Sequence, residues 1–157
     1  MDQQFWPSRL VPVGFAVEQS SVQAEQVVIT VRSIANEGIC PSCGATSRRI
    51  QSRYHRHAAD LPLAGWRVEL RVLVRRFWCD AVLCGRAIFA ERFAQDVLAP
   101  MARRTGRLDH IVHHLGLVLG GRPAANMAQR LMLPASNDTL LRTVRRRAVE
   151  PTGRSPS

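Results

Sequence analysis

The four cysteines of this 157-residue chain fall into two close pairs. The first pair lies in Cys40-Pro-Ser-Cys43 and the second in Cys79-Asp-Ala-Val-Leu-Cys84, and a glycine, Gly44 or Gly85, follows each pair. Four thiolates from two turns make a closed tetrahedral zinc site, and a glycine can adopt the positive φ that a tight metal-binding turn requires. The sequence therefore predicts one structural zinc ion, bound by Cys40, Cys43, Cys79 and Cys84.

Two other states of these cysteines are four buried free thiols and two disulfides. The chain starts with Met1-Asp2-Gln3-Gln4, which lacks the basic start of a secretory signal, and no apolar run approaches the length of a membrane span. These features predict a cytoplasmic protein with no membrane partner, and in that compartment close cysteine pairs favour metal binding over disulfides. The second pair encloses four residues rather than two, which predicts a looser turn.

The charge of the chain is unevenly distributed. Its 22 basic residues, all of them arginine, and 12 acidic residues give a net charge of +10. Residues 1–39 carry a net charge of −2, whereas residues 40–92 and residues 93–157 carry +6 each. Arginine binds phosphate through a planar fork and stacks on bases, so the basic part of the chain predicts a polyanionic partner. Double-stranded DNA, with association with the nucleoid, is the leading hypothesis for that partner.

The first half of the chain is predicted to form β-structure. Residues 1–39 are predicted to form a lead-in that contributes one strand, with Leu10–Val17 as a loop or short edge strand. Residues 40–92 are predicted to form a small antiparallel zinc ribbon, with a turn at Asp60–Gly65. The predicted strands are Val27–Arg32, Arg48–Arg56, Trp66–Trp78 and a short one at Ile88-Phe89. In so small a sheet the metal replaces part of the core.

From residue 93 to residue 150 the apolar spacing is helical and predicts three helices. The first starts near Pro100 and ends at Gly120-Gly121, the second starts at Pro123, and the third is capped by Ser136 or Asn137. Two short helices joined by a tight turn, the second ending in arginines, are typical of a helix-turn-helix. The predicted fold class is α+β: a small antiparallel zinc ribbon followed by a three-helix helix-turn-helix domain, with residues 151–157 as a disordered tail.

The DNA-binding residues are predicted on the ribbon strands and on the third helix. The alternative for that helix is a solvated amphipathic helix whose arginines only maintain solubility. The predicted DNA-binding residues are Arg53, His55, Arg75 and Arg76 on the strands and Asn137, Arg142, Arg145 and Arg146 on the helix. His110, His113 and His114 have helical spacing, which fits partly exposed helix positions or a second metal site. No catalytic set of residues is predicted, because the acidic residues are scattered and no phosphate-binding glycine loop occurs.

Several motifs along residues 10–150 resemble the N-terminal half of the ISL-three family of bacterial insertion-sequence transposases. They include Cys40-Pro-Ser-Cys43-Gly44, Ser52-Arg53-Tyr54-His55-Arg56, Asp60-Leu61-Pro62, Val74-Arg75-Arg76-Phe77-Trp78-Cys79, Cys84, Ile88-Phe89-Ala90-Glu91-Arg92, Ala102-Arg103-Arg104-Thr105, Gly120-Gly121, Ala128 and Asp138-Thr139-Leu140-Leu141-Arg142. The resemblance implies a zinc ribbon and a helix-turn-helix that bind the terminal inverted repeats of the element.

In that family a nuclease domain with an Asp-Asp-Glu triad follows, starting near the position of Pro151, whereas this sequence stops at Ser157. The resemblance therefore implies a DNA-binding module of a transposase, truncated and without catalysis. The alternative function is a regulatory or interaction protein that competes with or pairs with a full-length transposase. A homo-oligomer or a full-length transposase is accordingly the expected protein partner.

Overall fold

The computed structural model describes residues 10–149, which form seven strands and four helices. The predicted tail at residues 151–157 lies outside the described residues. The strands are β1 Phe15–Gln23, β2 Gln26–Ser33, β3 Gly38–Ile39, β4 Thr46–Ser47, β5 Ile50–Leu63, β6 Trp66–Trp78 and β7 Ile88–Ala90. The helices are α1 Gln95–Leu98, α2 Gly106–Leu119, α3 Gly121–Arg130 and α4 Asn137–Val149.

The main sheet is larger than the predicted ribbon. Its strand order is β1-β2-β6-β5, and β7 pairs with the end of β6. The pairing is antiparallel except between β2 and β6, which are parallel. Within residues 40–92 the pairs β5–β6 and β6–β7 are antiparallel, as predicted, so the expectation of a small ribbon is wrong in the size of the sheet. The segment before the cysteines adds two strands to this sheet rather than the predicted one, because β1 forms a hairpin with β2 at its edge.

Strands β5 and β6 form one long hairpin. Strand β5 continues through Pro62, where a turn was predicted, and the chain reverses at Ala64 and Gly65, whose φ values are 48° and 81°. Positive φ at both central residues is the backbone of a two-residue hairpin turn. Pro62 is tolerated because β5 is an edge strand and the register is irregular between Asp60 and Leu63.

One face of the sheet carries the larger apolar core. The predicted alternation of β6 is confirmed, since Val68, Leu70, Val72 and Val74 are all buried. They pack with Phe15, Ile29 and Val31 from β1 and β2 and with Leu98 from α1. The segment from Phe93 to Ala102 covers this face, and the Arg56 guanidinium donates to the Ala99 and Ala102 carbonyls at 3.0 Å each.

The helical part contains four helices rather than three within residues 10–149, and no helix starts at Pro100. Helix α1 is a single turn, and α2 starts only at Gly106, where the Thr105 hydroxyl accepts a hydrogen bond from the Leu108 amide. A side chain at Gly106 would strike the Asp96 carbonyl, so α2 starts at a position that must lack a side chain where it contacts α1. None of the helices described is long and apolar enough to cross a bilayer.

Helices α2, α3 and α4 each pack against the other two. Their shared core contains Leu108 and Val112 of α2, Ala124 and Ala128 of α3, and Leu140 of α4. Ser136 caps α4, as predicted, because its hydroxyl accepts from the Thr139 amide at 3.3 Å.

Asp60 of β5 joins the sheet to the helices. It is 2% exposed and accepts hydrogen bonds from the Thr105 hydroxyl at 2.6 Å and the Arg107 Nε at 2.8 Å. Backbone hydrogen bonds also join Ala59 to Arg103 and Thr105, in the segment between α1 and α2. The predicted domain boundaries at 39/40 and 92/93 stay predictions.

Candidate metal centre and nucleic-acid interface

The sulfur atoms of the four cysteines form one compact group, all within 4.8 Å of one another. The Cys40 and Cys84 sulfurs are 3.9 Å apart, and those of Cys43 and Cys79 are 3.6 Å apart. Zinc bound to four thiolates at about 2.3 Å in a tetrahedron places the sulfurs about 3.8 Å apart. The donor set and its spacing therefore fit one structural zinc ion, as the sequence predicted.

Two turns present these sulfurs, the first zinc turn at residues 40–44 and the second at residues 79–85. Hairpin β3–β4 supports the first turn, in which the Gly44 amide donates to the Cys40 carbonyl at 2.8 Å. Gly44 has the predicted positive φ, 75°, whereas Gly85 does not adopt positive φ. The longer second turn closes by a different bond, from the Cys84 amide to the Ala81 carbonyl at 3.0 Å.

The Cys40 and Cys79 thiols have very different pKa values in the absence of metal. Burial opposes ionisation of Cys40, but hydrogen bonds from the Ser42 and Cys43 amides outweigh it and lower the Cys40 pKa to about 6. The Ala81 amide favours the thiolate of Cys79, yet burial and the neighbouring thiols raise its pKa to about 12. Adjacent thiolates repel one another, so a divalent cation is required to hold all four sulfurs deprotonated together.

Two arginines connect the zinc turns across the site. Arg49, which follows β4, pairs with Asp80 in the second turn. In the opposite direction, the Nε of Arg86 donates to the Ser42 hydroxyl of the first turn at 2.8 Å. Zinc with four thiolates carries a net negative charge, so these nearby guanidinium groups also complement the site electrostatically.

An aromatic pair lies under the metal site. Phe77 and Phe89 are buried with Cys40, and their ring centroids are 5.6 Å apart. Gly38 of β3 lies against these rings, because a Cβ built at this position would lie 2.5 Å from the Phe77 ring. The ribbon therefore depends on a residue without a side chain beside Cys40.

We expect Gly38→Ala to destabilise the ribbon by about 1–3 kcal/mol, because an extra methyl forces packed aromatic rings to move. Thermal unfolding of the zinc-bound chain measures this loss. Gly85→Ala is the matched control, since a Cβ at Gly85 meets nothing within 4 Å. Equal melting temperatures for the two variants would contradict the packing argument.

The segment that contains the cysteine site is similar to a segment of known proteins. Residues 36–84 match the family model described as the zinc-finger of transposase IS204/IS1001/IS1096/IS1165. These residues are therefore similar to the zinc ribbon of transposases of that type. The match confirms the resemblance for the ribbon, which is less than a third of the chain. No curated protein and no solved structure matches the chain significantly.

The zinc ribbon does not bring its four predicted DNA-binding residues onto one surface. Arg53 and His55 are exposed on the same face of β5, as predicted from the alternation. Arg76 pairs in register with Ser52, so it lies on the opposite face, where its guanidinium stacks over the Tyr54 ring at 4.7 Å.

Arg75 is held inside the protein. Its side chain is 16% exposed and pairs with Glu91, which is 4% exposed. The same guanidinium donates to the Ala35 carbonyl at 2.8 Å. Arg75 therefore supports the fold between the lead-in and β7, and this role depends on Glu91, which lies 16 residues away in the sequence.

Helix α4 presents its four predicted residues in four different environments. The Asn137 side-chain oxygen lies against Gly121 at the start of α3, where no Cβ would fit. Arg142 is 71% exposed and forms a surface pair with Asp138 at 2.7 Å. Arg145 is exposed, and no carboxylate of residues 10–149 lies within ion-pair distance of it. Arg146 pairs with Asp109 of α2 at 2.7 Å.

Asp109 was not singled out from the sequence, where it is one acidic residue in the first turn of a helix. Burial opposes its ionisation, but Arg104 and Arg146 outweigh that effect and hold the pKa of the carboxyl below its usual range. The stabilisation from this carboxylate is therefore complete above the usual carboxyl range and is lost as the pH falls through the lowered pKa.

The three histidines of α2 do not form a three-ligand metal group. Among the described residues, only the four cysteines do so. The rings of His110 and His114 are 4.3 Å apart, and Nδ1 of His113 is buried without a hydrogen-bond partner. Burial lowers the pKa of His113, with help from the positive charge of Arg147, so this residue is a neutral packing position near neutral pH.

Proposed function

We propose that this chain is a zinc-dependent module that binds double-stranded DNA. The observation that carries the proposal is the match of residues 36–84 to a transposase zinc-finger, together with a cysteine geometry that fits zinc. The metal site lies at the open end of the β5–β6 hairpin, where β6 ends next to Cys79. Asp60 joins the same hairpin to the helices.

Helices α3 and α4 are the proposed helix-turn-helix, with α4 as the helix that enters the major groove. Three features support this assignment. Helix α4 is capped at Ser136, it packs on α2 and α3 through Leu140, and it leaves Arg142 and Arg145 exposed. In such motifs the second helix lies in the major groove, where its exposed side chains contact base edges and the flanking phosphates.

The proposed target is the terminal inverted repeat of an insertion sequence, the DNA that the resemblance to the ISL-three family implies. Exposed arginines on the sheet, Arg53 among them, would add phosphate contacts that do not depend on sequence. The module is proposed to bind this DNA without cleaving it.

The test is a salt titration of duplex binding. The full chain with zinc is used to select a duplex from a random pool, and its affinity is compared with that for a scrambled duplex. We expect the affinity to fall steeply between 50 and 200 mM salt. A plot of the logarithm of the affinity against the logarithm of the salt concentration should have a slope of about −1 for each phosphate contact. The selected sequence should resemble an element terminus.

Arg145→Gln should lower the slope by about 1, because it removes one arginine without breaking an ion pair among the described residues. Gln129→Ala, at an exposed position of α3 without charge, is the matched control. Equal affinity for the selected and scrambled duplexes at every salt concentration would contradict sequence-specific binding. Cleavage of the duplex with added magnesium would contradict a binding-only role.

A further inference from the structure

One carboxylate joins three arginines beside the proposed DNA-reading helix. Asp109 of α2, which is 15% exposed, pairs at 2.7 Å with Arg104, which lies in the segment between α1 and α2. It also pairs with two arginines of α4, Arg146 at 2.7 Å and Arg147 at 3.2 Å. We call Asp109, Arg104, Arg146 and Arg147 the Asp109 cluster.

The Asp109 cluster fixes α4 at two places along its length. Arg146 and Arg147 bind Asp109 from the C-terminal part of the helix. Arg104 also donates to the Thr143 hydroxyl at 3.1 Å, one turn earlier, and Thr143 is itself buried. Hydrogen bonds between charged groups are stronger than those between neutral groups, and they are directional. The cluster therefore sets the rotation of α4 about its own axis.

The cluster also divides the arginines of α4 into two classes. Arg146 and Arg147 already have a carboxylate partner, and moving either one to a phosphate would leave a largely buried Asp109 with fewer partners. Arg145 has no such partner among the described residues, and Arg142 has only the exposed Asp138, which is 76% exposed. Exposed pairs of this kind contribute little, so Arg142 can exchange its partner for a phosphate at small cost.

We propose that Asp109 is a positioning residue that holds Arg146 and Arg147 on the protein and thereby leaves DNA contact to Arg142 and Arg145. This inference rests on the proposed function and deepens it. It assigns the C-terminal arginines of α4 to orientation of the helix rather than to the DNA backbone. It also replaces the prediction from sequence that Arg146 contacts DNA.

The test compares two arginines that are adjacent in sequence, in the full chain with zinc. Arg145→Gln should lower the salt slope of duplex binding by about 1 and leave the melting temperature unchanged. Arg146→Gln should show the reverse: an unchanged slope and a melting temperature lower by about 2–4 °C, because it breaks a partly buried pair. Asp109→Asn should raise the slope, since it releases two guanidinium groups, and should reduce discrimination between selected and scrambled duplexes.

The outcomes separate the two proposals. If Arg146→Gln lowers the slope as much as Arg145→Gln does, Arg146 contacts DNA and this inference is wrong while DNA binding stands. If Arg146→Gln leaves the melting temperature unchanged, the Asp109 cluster does not hold α4 and the inference is also wrong. A wild-type chain that binds no duplex overturns the proposed function and, with it, the DNA role given to Arg142 and Arg145. The Arg146→Gln arms decide the question even if Asp109→Asn fails to fold.

Discussion

Removal of zinc by a tight chelator should unfold the ribbon end of the sheet and abolish duplex binding, while α2, α3 and α4 remain largely folded. The ribbon has a very small core of its own, in which Cys40 packs with Phe77 and Phe89. Structural zinc contributes about 10–16 kcal/mol of apparent binding free energy in small zinc fingers, so a core of this size cannot replace it. The helical core around Leu108 and Leu140 lies in a separate cluster and does not include the cysteines.

Amide NMR spectra with and without the chelator measure this effect residue by residue. Signals from residues 36–50 and 77–90 should collapse, signals from α2 to α4 should persist, and added zinc should restore the spectrum. Cys43→Ser should reproduce the loss, whereas Val82→Ala, a change at an exposed position of the second zinc turn outside the four ligands, should retain the ion. A metal-free chain with an unchanged spectrum would contradict the structural role of zinc.

Asp60→Ala should destabilise the whole chain by about 3 kcal/mol. The substitution removes a buried carboxylate and leaves the Arg107 guanidinium and the Thr105 hydroxyl without their shared acceptor. The estimate is at the low end for a broken buried pair, because Arg107 is 35% exposed and water can solvate it. In a protein of this size the loss corresponds to a fall in melting temperature of about 6–12 °C.

Asp138→Ala is the matched control, since it removes an aspartate whose pair with Arg142 is exposed on both sides. It should change the stability by less than about 0.5 kcal/mol. Thermal unfolding of both variants, followed by circular dichroism, makes the comparison. Equal effects of the two substitutions would show that Asp60 does not join the sheet to the helices.

Local patterns in the sequence predicted much of this fold. The cysteine spacing identified the metal site, and strict alternation identified β6, because one buried face requires an apolar residue at every second position. The helical spacing from Leu108 identified the body of α2 but not its start, and the hydroxyl of Ser136, which can accept from a helical amide, indicated the start of α4. Each of these features depends on neighbours along the chain.

The features that were missed depend on partners far away in the sequence. Strand β1 is exposed along most of its length, so Ser20, Ser21 and Gln23 gave no apolar period. The parallel pairing of β2 with β6 leaves no local sign. The ion pairs of Arg75 with Glu91 and of Arg146 with Asp109 join residues that come close only in the folded chain. The sequence therefore indicated which basic residues could contact DNA, but it could not distinguish exposed arginines from those that form ion pairs within the protein.

The parallel pairing of β2 with β6 also has a consequence for the order of events during synthesis. Val31 of β2 pairs with Val72 of β6, and most of the zinc ribbon lies between them in the sequence. Strand β2 must therefore wait for β6 to emerge from the ribosome before the centre of the sheet can close. Closing a long loop costs entropy, and such non-local pairing slows folding. The zinc site is completed later still, because Cys79 and Cys84 follow β6 in the sequence.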